Sequence, residues 1–134
     1  MITAVDTNVL IDILEPDPVH GLRSKEALKK CLREGAVVAC DVVWAEVATA
    51  YGNNQSELVE ALRAMRIGFS AMSIEAALRA ARSWHNCRRR GGGRDRIAAD
   101  FLIGGHAAAQ TERLLTRDLG FYRKYFKGLT VVLP

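Results

Sequence analysis

Short apolar runs separated by stretches of helical character constrain this chain more than any other feature. The runs are "ITAV", "AVVAC", "IGFSAM", "RLLT" and "TVVL", too brief for helices and β-branched enough to be strands. Between them, "NVLIDIL" reads as a short helix and "LRSKEALKKCLREG" as an amphipathic one that stops at Gly35. "DVVWAEVATAY" fits either period, but its length favours a helix, with Asp41 as N-cap. Asn54, ahead of Glu57, opens "SELVEALRAM" in the manner of a capping box, and Ser73 opens "SIEAALRAARSWHNCRRR", which stops at "GGG". "IAADFLIGGHAAAQ" and "LGFYRKYF" complete the helices, while "EPDPVHG" is a loop set by its prolines and glycine. Strands that alternate with helices imply an α/β fold, with a mostly parallel sheet covered on both faces.

The chain's 134 residues suit one domain, 1–134, with one core. No apolar run approaches the ~20 residues of a bilayer span, and the first run lacks a basic leader, so a cytoplasmic protein without a membrane segment is expected. Cys31, Cys40 and Cys87 form neither CxxC nor Cys/His spacing, which excludes a disulfide framework and a zinc site and leaves reduced thiols. The formal charge of +4 leans toward an anionic partner, although charge alone identifies none.

In a parallel α/β sheet, ligands bind outside the carboxyl ends of the strands. Asp6 falls at such an end, between Val5 and the apolar "NVLI". Asp118 follows "RLLT" in the same way, beside Thr116. Glu46 is the one interior charge of "DVVWAEVATAY", and Asp100 is the only acid of "IAADFLIGGHAAAQ". Helices apolar all round are expected to be buried, and buried carboxylates are rare unless paired. Taken singly, each acid has an ordinary explanation: Asp6 and Asp118 as helix caps, Glu46 and Asp100 as partners of arginines. A single explanation for all of them is a hard cation, Mg²⁺ or Mn²⁺, which prefers oxygen ligands and relieves the repulsion among like charges.

The stretches "AVDTNVLID", "DVVWAEV", "IAADFLIGGHA" and "LLTRDLGFY" resemble, in order and spacing, the acidic motifs of the PIN-domain ribonucleases, and within them the VapC-type toxins of bacterial toxin–antitoxin systems. The resemblance covers essentially the whole chain. It implies a PIN-like three-layer α/β/α sandwich in which Asp6, Glu46, Asp100 and Asp118 form the metal-binding and catalytic site, with Thr7, Asn8 and Thr116 as polar supports. It implies RNA as substrate, a VapB-like antitoxin and a homodimer. Asp95 competes with Asp100 for the third place, but ranks lower because Arg94 and Arg96 flank it in a glycine-rich stretch. The chemistry suits the residues. A phosphodiester is already anionic, and a divalent ion both neutralises that charge and generates a nucleophile near neutral pH.

In "RRRGGGRDR", Arg88, Arg89, Arg90, Arg94 and Arg96 read either as a solvated helix end, where cations suit the dipole, or as RNA-phosphate contacts. "GGGR" is not a P-loop, since no Gly-Lys-Ser/Thr follows. His106, six residues past Asp100, faces another side of its helix and reads as a packed histidine. Gly104 and Gly105 imply the close approach of another backbone, a partner subunit being one source. Trp44, Trp84, Phe101 and the aromatics of "FYRKYF" read as core and interface. A haloacid-dehalogenase-like phosphatase needs a second acid at position 8, which is Asn8, and a receiver domain needs an acidic pair at its first strand. A non-catalytic RNA-binding or scaffold domain of the same fold is the remaining alternative, disfavoured by the presence of all four acids.

Overall fold

The strand runs pair side by side, and every pair is parallel. A computed structural model describes residues 1–89, 91 and 98–134. In chain order the elements are β1 (Ile2–Val5), α1 (Thr7–Leu14), α2 (Gly21–Glu34), β2 (Ala36–Cys40), α3 (Asp41–Tyr51), α4 (Gln55–Ala64), β3 (Ile67–Ser70), α5 (Ile74–Arg89), α6 (Ala98–Gln110), β4 (Arg113–Leu115), α7 (Leu119–Tyr125) and β5 (Thr130–Val132). The sheet has the order β3-β2-β1-β4-β5. The chain therefore winds outward from β1 to one edge, then returns to β1's other side, which makes the β1/β4 boundary a topological switch point.

Helix contacts fall into two groups. In one, α1 packs on α2 and α3, and α3 on α4; in the other, α5 packs on α6 and α7, and the groups meet where α3 touches α6. Right-handed crossovers place these groups on opposite faces of the sheet. Thr3, Ala4 and Val5 of β1 are all buried, as a central parallel strand covered on both sides requires. The core continues through Val37 and Ala39 of β2, Leu114 and Leu115 of β4, and Leu62, Phe101 and Tyr122 from the helices. No helix among the described residues is long and apolar enough to cross a membrane. The cysteines are free and buried.

Three sequence expectations are corrected. Asp41 does not cap α3: Cys40 occupies the N-cap and Asp41 the first turn, where its charge suits the helix dipole. Nor is α3 buried all round. Val43 and Val47 are buried, whereas Asp41, Ala45, Thr49 and Ala50 are exposed; the apolar residues on that outer face are alanines, whose small side chains cost little in water. The close approach at Gly104 and Gly105 lies within the chain, not at a partner subunit. A Cβ on Gly105 would collide with the Ala76 carbonyl oxygen and the Ala80 side chain of α5, and one on Gly104 with the Phe126 ring. Asn54 and Ser73 do cap their helices, their side chains accepting from Glu57 N at 3.2 Å and Ala76 N at 3.1 Å.

Candidate metal centre at the carboxyl edge of the sheet

Register sets the level of the site. Val5 pairs with Leu115, so Asp6 and Thr116, the next residue on each strand, leave the sheet together at the switch point. The ladder runs one step further, with Asp6 N donating to Leu115 O at 2.9 Å and Thr116 N to Val132 O at 3.1 Å. Asp6 is in part the ordinary N-cap of α1, its Oδ1 accepting from Thr7 N at 2.7 Å. Its other oxygen has a different environment. Oδ2 accepts from Thr116 Oγ1 at 2.7 Å, Tyr122 OH at 3.1 Å and Asn8 Nδ2 at 3.3 Å.

The network has little freedom. Thr116 Oγ1 accepts from Asn8 Nδ2 at 3.3 Å and from Asp118 N at 3.0 Å, so both lone pairs are taken and its proton goes to Asp6. Asn8 Oδ1 accepts from Arg117 N at 3.2 Å, which fixes the orientation of the amide. From α3, Glu46 Oε1 accepts from Thr7 Oγ1 at 2.7 Å, which ties the second acid to the residue beside the first. Asp118 caps α7, accepting from Phe121 N at 3.4 Å. Asp100 lies half-buried in the first turn of α6.

Electrostatics connect the remaining acids. Burial pushes the Asp6 carboxyl above its ordinary pKa; the hydrogen bonds from Thr116, Thr7 and Tyr122 oppose that, and the charge on Asp100 adds to it. The Tyr122 phenol is driven far above its ordinary range by burial and then by the charges of Asp6, Asp100 and Asp118, so it remains a neutral donor. The charges of Asp6, Asp100 and Asp118 thus act on one hydroxyl, and Thr7 links Glu46 to the other oxygen of Asp6. Among the described residues no three His, Cys, Asp or Glu side chains stand close enough to hold an ion together. The acids border a common site without converging on a point. Carboxylates, hydroxyls and an amide make up the donor set, which fits a hard cation and not a thiophilic one.

Other expectations fall elsewhere. Arg88 and Arg89 are exposed at the end of α5 and, with Ala81, Trp84 and His85, line a cavity of about 460 Å³. Arg90, Arg94, Arg96 and the competitor Asp95 lie outside the described residues. His106 is a packed histidine, with Nε2 2.9 Å from Ser70 Oγ and its pKa lowered by burial. Phe121, Tyr122 and Phe126 are core, as expected of "FYRKYF", but the Tyr122 hydroxyl also belongs to the site and was missed. Asp12, buried in α1 and paired with Arg117, was missed as well. Its signal was present: Asp12 is the lone charge inside "NVLIDIL", the same pattern that marks Glu46 and Asp100.

Residues 3–127 match the family model of the PIN domain. Among solved structures, the chain is similar to VapBC2 from Rickettsia felis bound to a DNA fragment from their promoter, with a TM-score of 0.78 and 18% identity over 100% of this chain and 99% of that one. It is similar to VapBC-1 from nontypeable Haemophilus influenzae, with a TM-score of 0.76 and 16% identity over 98% and 97% of the two chains. A toxin–antitoxin complex from Klebsiella pneumoniae gives a TM-score of 0.62 and 20% identity over 97% and 95%. At such identities the likeness is one of fold. No curated protein matches the chain.

Proposed function

The chain belongs to the PIN-domain family, and from that premise we propose that it is a metal-dependent endoribonuclease, the toxin of a pair neutralised by a VapB-like antitoxin, acting as a homodimer. The observation that carries this reading is Asp6, a buried carboxylate at the switch point whose Oδ2 is held by three side-chain donors.

In this reading Asp6, Glu46, Asp100 and Asp118 would hold Mg²⁺ or Mn²⁺, which supplies charge neutralisation at the phosphodiester and a water acidified to act as nucleophile. The chain's own residues do the rest. Thr116, Tyr122 and Asn8 keep Asp6 oriented, and the bonds from Thr116, Thr7 and Tyr122 favour its ionised form against burial. Thr7 bonds both Asp6, through its N–H, and Glu46, through its hydroxyl, so α1 and α3 present their acids in fixed relation. Tyr122 acts on the site by donating its hydroxyl proton to Asp6 Oδ2 at 3.1 Å. Arg88 and Arg89, joined in sequence by Arg90, Arg94 and Arg96, contact RNA phosphates and draw the polyanion toward an acidic site.

Incubation of pure protein with RNA tests the reading directly. Cleavage should require Mg²⁺ or Mn²⁺, stop with chelator, and fall by at least about 100-fold in Asp6→Asn. Equal cleavage by that variant, or cleavage indifferent to chelator, would refute the proposal.

A further inference from the structure

Asp118 stands on a short connection, residues 116–118, between β4 and α7, and α1 grips that connection at several points. Asn8 accepts the Arg117 N–H, and Thr116 bonds Asp6. The Arg117 side chain then doubles back onto α1, where Nε donates to Asp12 Oδ2 at 2.8 Å and Nη2 to Asp12 Oδ1 at 3.1 Å. Asp12, only 3% exposed, also accepts from the Ser24 hydroxyl of α2 at 2.7 Å. Both of its oxygens are therefore engaged, one of them twice. A two-pronged guanidinium–carboxylate contact fixes direction as well as distance, and the Ser24 bond keeps the carboxylate from turning.

Stability alone is a poor reason for such a pair: the Asp12 side chain is buried while that of Arg117 is 35% exposed, and the cost of burying the carboxylate offsets much of the attraction. Location gives a better one. Arg117 separates the residue that donates to Asp6 from the acid expected to share its ion. We propose that the Asp12–Arg117 pair is a positioning clamp for the metal centre, setting the Asp118 carboxylate against Asp6 so that both meet one cation. The inference rests on the metal-dependent reading above. It also assigns Arg117 to α1 and not to the RNA: its guanidinium is already committed to Asp12.

Mn²⁺ binding to the RNA-free protein, followed by electron paramagnetic resonance or calorimetry, separates the alternatives, with kcat and KM for RNA cleavage alongside. Arg117→Gln leaves a buried carboxylate alone and risks unfolding, so the variants are Asp12→Asn and the double variant Asp12→Asn/Arg117→Gln, which removes both charges. Leu62→Ala, in the α4 core, supplies a destabilised control. Asp12→Asn should weaken Mn²⁺ binding about 10- to 100-fold, the usual cost of losing an outer support. kcat should fall with it, while KM for RNA stays within about twofold. The double variant should be no worse than the single, because the two residues act as one unit. Leu62→Ala should bind Mn²⁺ like the parent. Parent-like affinity in Asp12→Asn and the double variant overturns the clamp, as does an equal loss of affinity in Leu62→Ala. A raised KM with unchanged kcat overturns it too, and makes Arg117 an RNA contact. A parent that takes up no Mn²⁺ overturns the functional reading itself, and the clamp with it.

Discussion

Asp6 carries two roles that are in tension, helix cap and buried charge, and its titration should reveal both. Its pKa is raised in the folded state above the ordinary 3.8, so the folded protein binds the proton more tightly than the unfolded one. The stabilisation from that proton is full below 3.8 and is lost as pH rises through the folded pKa. In metal-free protein the parent should therefore lose stability relative to Asp6→Asn as pH rises, by up to about 1.4 kcal/mol per unit. Thermal denaturation of both proteins across that range checks this; a gap constant with pH would show that Asp6 ionises without cost. The absolute Tm of the variant need not rise, because an amide must turn its NH₂ toward donors, either Thr7 N or the Thr116, Tyr122 and Asn8 set. Metal adds a second readout. At 100 times its Kd an ion stabilises the parent by about 2.7 kcal/mol, and Asp6→Asn should lose most of that gain. The candidate acids stand out in the sequence by position, Asp6 and Asp118 just past strand ends, Glu46 and Asp100 as lone acids within apolar helices. Tyr122 does not, because an aromatic at helical spacing reads as core, and its ring is core; only the fold shows that the hydroxyl end reaches Asp6.

At the scale of elements, nearly all of the strand and helix order was legible, because period and caps are local signals: Asn54, Ser73 and Gly35 mark ends that the structure keeps. What local pattern could not resolve was depth. α3 and α6 have similarly apolar compositions, yet α6 is packed against α5 at Gly105 and against the Phe126 ring at Gly104, while α3 turns alanines to solvent. The expected approach of another backbone holds at Gly105, where the neighbour is α5 of the same chain; at Gly104 the neighbour is the Phe126 ring. The cost of the approach can be measured. Gly105→Ala gains up to about 1 kcal/mol of helix propensity but drives a methyl into the Ala76 carbonyl, an overpacking penalty of about 1–3 kcal/mol or more. Urea denaturation should find Gly105→Ala less stable than the parent and less stable than Gly104→Ala, whose methyl meets a ring that can shift. Equal stability of all three would mean that α5 and α6 are free to separate.

On the scale of the whole molecule, four acids at one edge of the sheet make a target for a cationic plug. In the proposed toxin, the antitoxin should place an Arg or Lys among Asp6, Glu46, Asp100 and Asp118 and cover nearby apolar surface with a helix. Excess Mg²⁺ or Mn²⁺ should then weaken inhibition, and replacing the inserted basic residue should restore cleavage before the complex dissociates. Inhibition unaffected by metal and by every basic residue of the antitoxin would show that RNA is blocked away from the acids. The strand order also sets when the site can exist. The Thr116–Asp6 bond joins residues 110 apart, and the Tyr122 bond spans 116. At about 5–20 residues per second, a ribosome needs roughly 5–20 s to travel from the first acid to the threonine that holds it. Throughout that interval the nascent chain carries Asp6 without its partner strand, so a growing polypeptide cannot cut the message from which it is being read, and an antitoxin has that long to be waiting.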